Sequence, residues 1–200
     1  MKLIDQSWEW VDEPRNVLVR IMRAGATCYK SEPQHPERFV RMLMNKGHES
    51  VIEHVSASVR IITNRGVTHE LVRHRLASFS QESTRYCNYG GKEMEFIRPV
   101  WWNSMPEDGL GQKIFIEACE EDEYHYKQFI GCGWRPEQAR EVLPNALKTE
   151  IVMTANLREW RHVFKLRTSK AAHPQMRALM LDLLSDFKEA IPVIFEDIKP

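Results

Sequence analysis

The stretch from Arg73 to Tyr86 gathers cations, hydroxyls and amides in a run that is too polar to form a core. Its arginines, Arg73, Arg75 and Arg85, carry planar guanidinium groups that match the oxygens of phosphate. Short hydroxyl side chains that can donate to the same oxygens lie between them, at Ser78, Ser80, Ser83 and Thr84. These residue types at this spacing predict a binding site for an anionic ligand.

The segment from Arg65 to Arg75 is predicted to be the helix that positions these cations. At ~100° per residue, Arg65, His69 and Arg73 share one face of such a helix, whereas Arg75 lies far round from Arg73. The helix would therefore offer cations in two directions. That geometry favours two ligand groups, or a ligand shared across a subunit boundary, over a single point contact.

Strands are predicted on both sides of this helix in the sequence. Apolar residues alternate with polar ones from Val55 to Ile61, which is the period of a half-buried strand. A second long strand is predicted from Leu147 to Ala155, and an edge strand from Glu93 to Val100. For Asn16 to Met22, periodicity leaves both a short strand and the first turns of a buried helix open.

Helices are predicted from Pro36 to a stop at Gly47, from Gly111 to Ile130, from Pro136 to Leu143 and from Asn156 to Arg167. The long helix should expose the acidic cluster between Glu117 and Glu123 and turn its apolar residues inward, namely Phe115, Cys119, Tyr126, Phe129 and Ile130. The clearest helical stripe predicts core or subunit interface, and it consists of Met176, Leu179, Met180, Leu183, Leu184 and Phe187.

Composition limits the classes of protein that this chain can represent. A length of 200 residues with 42% hydrophobic content predicts one compact domain over residues 1–200. The formal net charge of zero disfavours a surface that wraps a polyanion. The four cysteines form no Cys-x-x-Cys pair, and there is no signal peptide and no apolar run of the ~20 residues that a membrane helix needs. We therefore expect a soluble, cytoplasmic protein without a membrane partner.

Three familiar kinds of site are not indicated. His69 and His74 imitate a zinc motif, but they lie five residues apart, ~140° round a helix, and we predict no metal site. No Gly-x-Gly-x-x-Gly and no Gly-Lys-Ser/Thr loop occurs, so a dinucleotide would have to be held by side chains. Cys87 has no base near it in the sequence and is interpreted as a packing residue.

The triplet Arg73-His74-Arg75, followed after seven residues by Ser83, resembles the signature of the flavin-dependent thymidylate synthases. Further blocks resemble those of the same family and follow in the same order: His48-Glu49-Ser50 with Glu53-His54, Ala139 to Pro144, Asn156-Leu157-Arg158, His162, Leu166-Arg167 and His173-Pro174-Gln175. Together these blocks span most of the chain.

The resemblance implies a mixed α/β (α+β) fold, with a central sheet flanked by helices, in a homotetramer whose sites lie between subunits. It also implies an FAD-dependent methyltransferase that makes dTMP from dUMP. The carbon would come from methylenetetrahydrofolate, and the reducing equivalents from NADPH through FAD. No cysteine has a covalent role in this reading.

The resemblance also implies which residues form the site, through the positions that match the family's motifs. FAD would be held by Ser50, Arg73, His74, Arg75, Gln81, Asn156, Arg158 and His162. The nucleotide dUMP would be held by Arg73, Gln81, Ser83, Arg85, Arg140 and Arg167. Arg167 is the implied catalytic residue, because it would contact the uracil ring and stabilise the negative charge that develops there.

Glu70 departs from the family, which usually carries Gln at this position as a nucleotide contact. It is retained as a candidate for substrate binding. A carboxylate repels phosphate, so we expect Glu70 to point elsewhere, to pair with an arginine or to contact the sugar.

Two other functions remain open from the sequence. One is a nucleic-acid-binding protein that uses Arg65, His69, Arg73 and Arg75 on one helix, with Trp101 and Trp102 as stacking platforms. Neutral net charge counts against it. The other is a catalytically inactive relative that serves as an oligomeric scaffold.

Overall fold

The structure is a computed structural model that describes residues 1–104 and 109–200. The strands are β1 (Lys2–Ile4), β2 (Ser7–Asp12), β3 (Ser56–Asn64), β4 (Ala77–Gln81), β5 (Glu95–Ile97) and β6 (Lys148–Asn156). The helices are α1 (Val17–Tyr29), α2 (Pro36–Asn45), α3 (Arg65–Leu71), α4 (Leu110–Gly131), α5 (Pro136–Ala139), α6 (Leu157–Arg167), α7 (Pro174–Ala190) and α8 (Pro192–Phe195). Short 3₁₀ helices span Glu49–His54, Trp102–Ser104 and Arg140–Val142. The predicted mixed α/β class is confirmed.

The chain forms two compact units. The first unit comprises Met1–Ser7, Ile61–Arg73 and Ser80–Ile151. The second unit comprises Trp8–Arg60, His74–Phe79 and Val152–Pro200. Since the boundaries fall within β2, β3, β4 and β6, each of these strands contributes residues to both units.

Two sheets are present among the described residues. The larger has the strand order β2-β3-β6-β4, and in the smaller β1 pairs in parallel with β5. Both long strands alternate between buried and half-buried residues from their second residue onward. Their buried positions are occupied mainly by Val, Ile, Ala, Met and Thr, which suit a pleated surface packed on one side. The two predicted long strands are confirmed, and each of their four ends lies within three residues of the predicted position.

Strands β3 and β6 run antiparallel. In the second unit, Leu157 N donates to Val55 O at 2.9 Å, and the hydroxyls of Ser58 and Thr154 lie 2.8 Å apart. Along the paired segments, residue numbers therefore increase in β3 while they decrease in β6, which defines an antiparallel pair. Their opposite direction brings the end of β6, where α6 begins, beside the start of β3.

Each of these strands ends in an asparagine that caps the following helix. The Oδ1 of Asn64 accepts from Val67 N at 2.8 Å, and that of Asn156 accepts from Glu159 N at 2.9 Å. Such caps satisfy a backbone N–H that has no partner within the helix. The caps explain why strand changes to helix without an intervening loop at both places.

The core of the second unit is built on α6 and α7. Every residue of the predicted stripe on α7 is buried, and Phe187 packs its ring 5.1 Å from Trp160 and 5.0 Å from Phe164. Tilted and edge-to-face aromatic contacts at these distances stabilise a core beyond the area that they bury. The stripe is therefore core, one of the two alternatives that the sequence left open.

Helix α4 packs on the core of the first unit through Cys119 and Tyr126, as predicted. The prediction that its acidic cluster is solvated is wrong for Glu123, which is only 6% exposed. Burial acts to raise the pKa of this carboxyl, but hydrogen bonds from Lys127, the N-terminal ammonium and Met94 N outweigh burial and lower the pKa. Glu123 thus ties the N-terminus to α4.

Other predicted elements are adjusted by the structure. Asn16–Met22, for which the sequence allows either strand or helix, forms the start of α1. Gly47 follows α2 at φ 72°, a conformation that favours glycine. The predicted helix from Pro36 is confirmed, and the edge strand shortens to β5. Among residues 1–104 and 109–200, no helix combines the length and the apolar character that crossing a bilayer requires.

Candidate functional site

The Arg-His-Arg triplet lies on a turn, and the prediction of a helix through Arg75 is wrong. Helix α3 ends at Leu71, and Arg73 N already bonds to Glu70 O in a tighter, 3₁₀-type turn. The chain must leave the helix here because β4 begins at Ala77 and joins the sheet next to β6. The predicted division of cations between two helix faces therefore does not apply.

Within this turn, the three residues differ sharply in exposure. Arg73 and Arg75 are exposed, whereas His74 is only 4% exposed. The turn thus buries the imidazole and leaves its two neighbouring guanidinium groups available to a ligand. Leu76, which follows, is 77% exposed.

His74 is held by residues of α6. The Nε of Arg167 donates to His74 Nε2 at 3.0 Å, and Glu159 Oε1 lies 3.4 Å from His74 Nδ1. Burial, followed by the charges of Arg167 and His162, lowers the pKa of His74 to about 4. His74 is therefore neutral at pH 7. Because Nε2 accepts from Arg167, the single proton resides on Nδ1, on the side of Glu159.

His74, Glu159 and His162 also form a group whose potential ligand atoms lie within 4.8 Å of one another. A metal at this group would need a lone pair on His74. Nε2 already accepts from Arg167, and if Nδ1 became the ligand, the proton would move to Nε2 and face the Arg167 N–H. This donor arrangement does not suit a metal ion. Because α3 ends before His74, the helical spacing of His69 and His74 does not apply to this group.

A groove of about 690 Å³ runs along α6. It is lined by Glu49, Glu53, Leu76, Asn156, Arg158, Glu159, Arg161, His162 and Lys165. Arg158, His162 and Lys165 recur at intervals of about one turn, which places their side chains along one face of the helix. The structure thereby brings together three of the predicted cofactor residues, Asn156, Arg158 and His162. Ser50 is exposed on the neighbouring 3₁₀ helix Glu49–His54.

Carboxylates partly neutralise the positive charge of this groove. Arg158 donates to Glu53 at 2.5 Å and lies 3.8 Å from Glu49. These ion pairs are solvated, since the Arg158 side chain is 52% exposed, and an anionic ligand can compete with them at modest cost. Arg158 is therefore positioned at the groove but engaged with acids in this structure.

Arg161 is a buried residue of the groove wall that sequence reasoning missed. Its guanidinium donates to both carboxylate oxygens of Asp197, at 2.6 and 2.7 Å, and to Ile194 O. Its Nε lies 3.3 Å from Glu49 Oε1. Glu49 lies far before Arg161 in the sequence, and Ile194 and Asp197 lie far after it, so no local pattern indicated these partners. Arg161 ties the C-terminal segment of the second unit to the groove.

Glu159 is a second site residue that the sequence motifs did not indicate, although its spacing from Asn156 carries a signal. It follows Asn156 by three residues, which is the spacing of a capping box. Its backbone N–H does use the Asn156 cap, but its carboxylate is 6% exposed and faces His74. Burial raises the pKa of the Glu159 carboxyl.

In the first unit, the loop after β4 gathers three predicted substrate residues. Ser83 O accepts from Tyr86 N and Cys87 N, and Ser83 Oγ accepts from Arg85 N at 3.3 Å, so that the loop forms a compact turn. Arg140 donates to Thr84 Oγ1 at 3.3 Å. Arg140 is thus brought to the loop of Ser83 and Arg85 from far along the chain.

Gln81 and Glu70 occupy different surroundings in the same unit. The Nε2 of Gln81 donates to Thr68 Oγ1 at 2.9 Å and to Thr149 Oγ1 at 3.2 Å. Glu70 is half-buried on α3. Thr68 and Thr149 carry no motif, and nothing in the sequence indicated their contact with Gln81.

Cys87 lines a cavity of about 260 Å³ with Glu82, Tyr89 and Lys148. The Tyr89 hydroxyl donates to Glu82 at 2.8 Å, and Lys148 pairs with Glu82 and Glu150. These groups bind one another, and no histidine is among the described residues that line the cavity. The Glu82 carboxylate is therefore engaged by Tyr89 and Lys148, and the lining does not supply the histidine of a Cys–His pair that would activate the Cys87 thiol.

Solved structures share this fold. The chain is similar to the crystal structure of the UMP/dUMP methylase PolB from Streptomyces cacaoi bound with 5-Br dUMP, with a TM-score of 0.83 and 23% identity. The match covers 98% of this chain and 96% of that one. At this identity the likeness establishes the fold.

Sequence relatives define the family. A flavin-dependent thymidylate synthase from Geobacter sulfurreducens is 37% identical over 163 residues, covering 81% of this chain and 69% of the relative. One from Corynebacterium efficiens is 32% identical over 210 residues, covering 94% and 82%. The family model described as "Thymidylate synthase complementing protein" matches residues 9–193. The chain belongs to this family and is an enzyme of the flavin-dependent thymidylate synthase type. The predicted family and enzyme class are confirmed.

Proposed function

We propose that this enzyme converts dUMP into dTMP by reductive methylation. Methylenetetrahydrofolate would supply the carbon, and NADPH would supply reducing equivalents through FAD. The observation that carries the proposal is the groove along α6, where residues that match the family's cofactor motifs line one surface. Family membership gives this surface its chemical meaning.

FAD fits the donors of this groove. Asn156 uses Oδ1 to cap α6, so its Nδ2 is left to donate to a ligand, and the N-terminus of α6 attracts negative charge. Arg158 and His162 would contact the pyrophosphate from the same face, with Ser50 beside them on Glu49–His54. FAD, when bound, supplies the two-electron chemistry that side chains cannot perform.

The triplet and the loop after β4 complete the proposed contacts. The exposed guanidinium groups of Arg73 and Arg75 would bind the cofactor, Arg73 also the nucleotide, and the buried imidazole of His74 would orient the turn. Ser83, Arg85 and Arg140 would bind the dUMP phosphate through charge-assisted hydrogen bonds. Gln81 would face the base or the flavin. Glu70 would avoid the phosphate and contact the sugar.

Arg167 would be the catalytic residue. Its guanidinium is oriented by the hydrogen bond to His74, and a fixed cation near the uracil ring would stabilise the negative charge that develops when the base is activated. A neutral His74 accepts the Arg167 hydrogen without competing for that charge.

The remaining features of the proposal follow from the family resemblance and composition. They are one domain over residues 1–200, a cytoplasmic homotetramer with sites shared between subunits, and no nucleic-acid or membrane partner. Mass measurement by light scattering would test the tetramer. The nucleic-acid alternative required Arg73 and Arg75 on the same helix as Arg65, and α3 ends at Leu71.

The deciding experiment is a visible absorption spectrum of the purified protein before and after FAD is added, then after NADPH and dUMP are added without oxygen. We expect flavin bands that bleach faster when dUMP is present, and dTMP formation once methylenetetrahydrofolate is supplied. A colourless protein that does not bind FAD would overturn the proposal. If the flavin bands bleach but no dTMP forms after methylenetetrahydrofolate is supplied, the result would instead support the catalytically inactive scaffold.

A further inference from the structure

Gln81, at the end of β4, meets two buried threonines from different elements of the first unit. Thr68 lies on α3 and is 0% exposed, and Thr149 lies on β6 and is 1% exposed. Both hydroxyl oxygens contact the side-chain amide of Gln81, at 2.9 and 3.2 Å. A polar side chain at the end of a strand is thus anchored by two hydroxyls that solvent does not reach.

The orientation of the amide follows from the hydrogen bonds of Thr68. Thr68 Oγ1 lies 3.0 Å from Arg65 O, and a carbonyl oxygen can only accept. Thr68 therefore donates its one hydroxyl hydrogen to Arg65 O and must accept the hydrogen bond from Gln81. The Gln81 atom that faces Thr68 is accordingly the NH₂ group.

The opposite end of the amide remains available. Nε2 has two hydrogens, and these are directed at Thr68 and Thr149. Gln81 Oε1 has no hydrogen-bond partner among the described residues, and it does not belong to their fully buried unsatisfied atoms. Gln81 consequently presents a carbonyl oxygen, an acceptor without a competing donor, to whatever binds next to β4.

We propose that Thr68 and Thr149 are positioning residues that lock the Gln81 amide, so that its Oε1 accepts a hydrogen bond from the imide N–H of a bound ligand. Such an N–H, flanked by two carbonyls, occurs at N3 of uracil and at N3 of the flavin ring. The inference rests on the proposed function, in which Gln81 faces the uracil base or the flavin. A freely turning amide would serve a donor or an acceptor equally, whereas the locked amide rejects a ligand with an acceptor at this place.

The test replaces each threonine by valine, which has the same shape but no hydroxyl, and by serine, which keeps it. Thr154→Val is the matched control, because Thr154 lies on the same strand, β6, but its hydroxyl contacts Ser58 and is not a partner of Gln81. Calorimetric titration compares dUMP with dCMP, whose N3 is an acceptor, and FAD with N3-methyl-FAD, which lacks the hydrogen. Circular dichroism confirms that each variant is folded.

In the wild type we expect the ligand with the imide N–H to be preferred by at least about tenfold. Thr68→Val and Thr149→Val should reduce that preference to within about threefold, whereas Thr68→Ser, Thr149→Ser and Thr154→Val should retain it. A change confined to the dUMP pair identifies uracil as the partner of Gln81, and a change confined to the FAD pair identifies the flavin.

Folded valine variants that keep both preferences would overturn the proposal, and so would serine variants that behave like the valine ones. If valine variants do not fold, the serine variants decide: a retained preference supports the lock and a lost one refutes it. Wild-type protein that binds neither dUMP nor FAD would be a failure of the proposed function itself, which the absorption spectrum detects separately.

Discussion

Arg167 Nε donates a hydrogen bond of 3.0 Å to His74 Nε2, and this contact joins the last residue of α6 to the central residue of the Arg-His-Arg turn. The two residues are far apart in the sequence. Their contact has meaning for function only if His74 stays neutral, because a protonated imidazole has no lone pair to accept with. Burial of His74 and the adjacent positive charge ensure this state at neutral pH.

The first prediction concerns pH. The pKa of His74 is lowered to about 4 in the folded protein, below its unfolded value of 6.5, so the unfolded chain takes up the proton first as pH falls. His74 should therefore reduce the free energy of unfolding progressively from about pH 6.5 to about pH 4, by as much as about 3 kcal/mol. Urea denaturation at several pH values measures this loss.

His74→Asn should make that pH dependence shallower, whereas His35→Asn, at an exposed loop position, should leave it as it is. A direct NMR titration of His74 with a midpoint above pH 6 would contradict the prediction.

The second prediction concerns Arg167. Arg167→Ala should retain bound flavin and lose dTMP formation by a factor of about 10²–10³, because a cation aimed at developing charge is removed. Flavin absorbance and product formation are measured on the same sample. Loss of flavin together with intact dUMP turnover on reconstitution would refute the role assigned to Arg167.

The third prediction concerns the caps of the two helices that follow β3 and β6. Asn64→Ala and Asn156→Ala should each lower the free energy of unfolding by about 1 kcal/mol, because each removes the acceptor for a helix N–H. Only Asn156→Ala should also weaken FAD binding, since Asn156 lines the groove. Equal FAD affinity in both variants would remove Asn156 from the cofactor site.

The fourth prediction concerns stability. Arg161→Ala should lower the free energy of unfolding by about 2 kcal/mol, because Ile194 O and Asp197 lose a buried, charged donor. Lys165→Ala, an exposed change on the same helix, serves as control and should have little effect. Chemical denaturation of both variants measures the difference. Equal stability would mean that the Arg161 contacts contribute nothing to holding the C-terminal segment.

The fifth prediction concerns cysteine chemistry. Cys87→Ala should form dTMP at close to the wild-type rate, because the cavity around Cys87 is lined by no histidine among the described residues and its Glu82 carboxylate is engaged by Tyr89 and Lys148. Cys132→Ala, at an exposed position, is the matched control. A folded but inactive Cys87→Ala protein would restore a covalent role for this thiol.

Local patterns in the sequence determined much of the fold. The alternation in β3 and β6, the stripe on α7 and the ends of α6 were all predictable, because they depend on residues within a few positions of one another. Glu123 was predicted wrongly for the complementary reason. Besides Lys127 on the same helix, its partners are the N-terminus and Met94, which the pattern of α4 does not report.

The end of α3 and the existence of β4 depended on tertiary structure. Propensity allows a helix to continue through Arg73, but β4 joins the sheet next to β6, where Glu82 N bonds to Glu150 O at 2.9 Å, and the chain must turn to reach that position. Pairing between distant segments overrides the local helix propensity, because a strand makes its backbone hydrogen bonds only with neighbouring strands.

For the candidate site, the sequence by itself indicated which residues would carry the proposed chemistry: the arginines, Ser83, Gln81 and His74 can be predicted from their types and order. Only the tertiary structure decided the state of those residues. His74 is neutral because α6 buries it against Arg167, and Gln81 presents an oxygen because Thr68 and Thr149 occupy its hydrogens. Protonation and hydrogen-bond direction depend on what surrounds a group in space, and those surroundings come from parts of the chain that no local pattern connects.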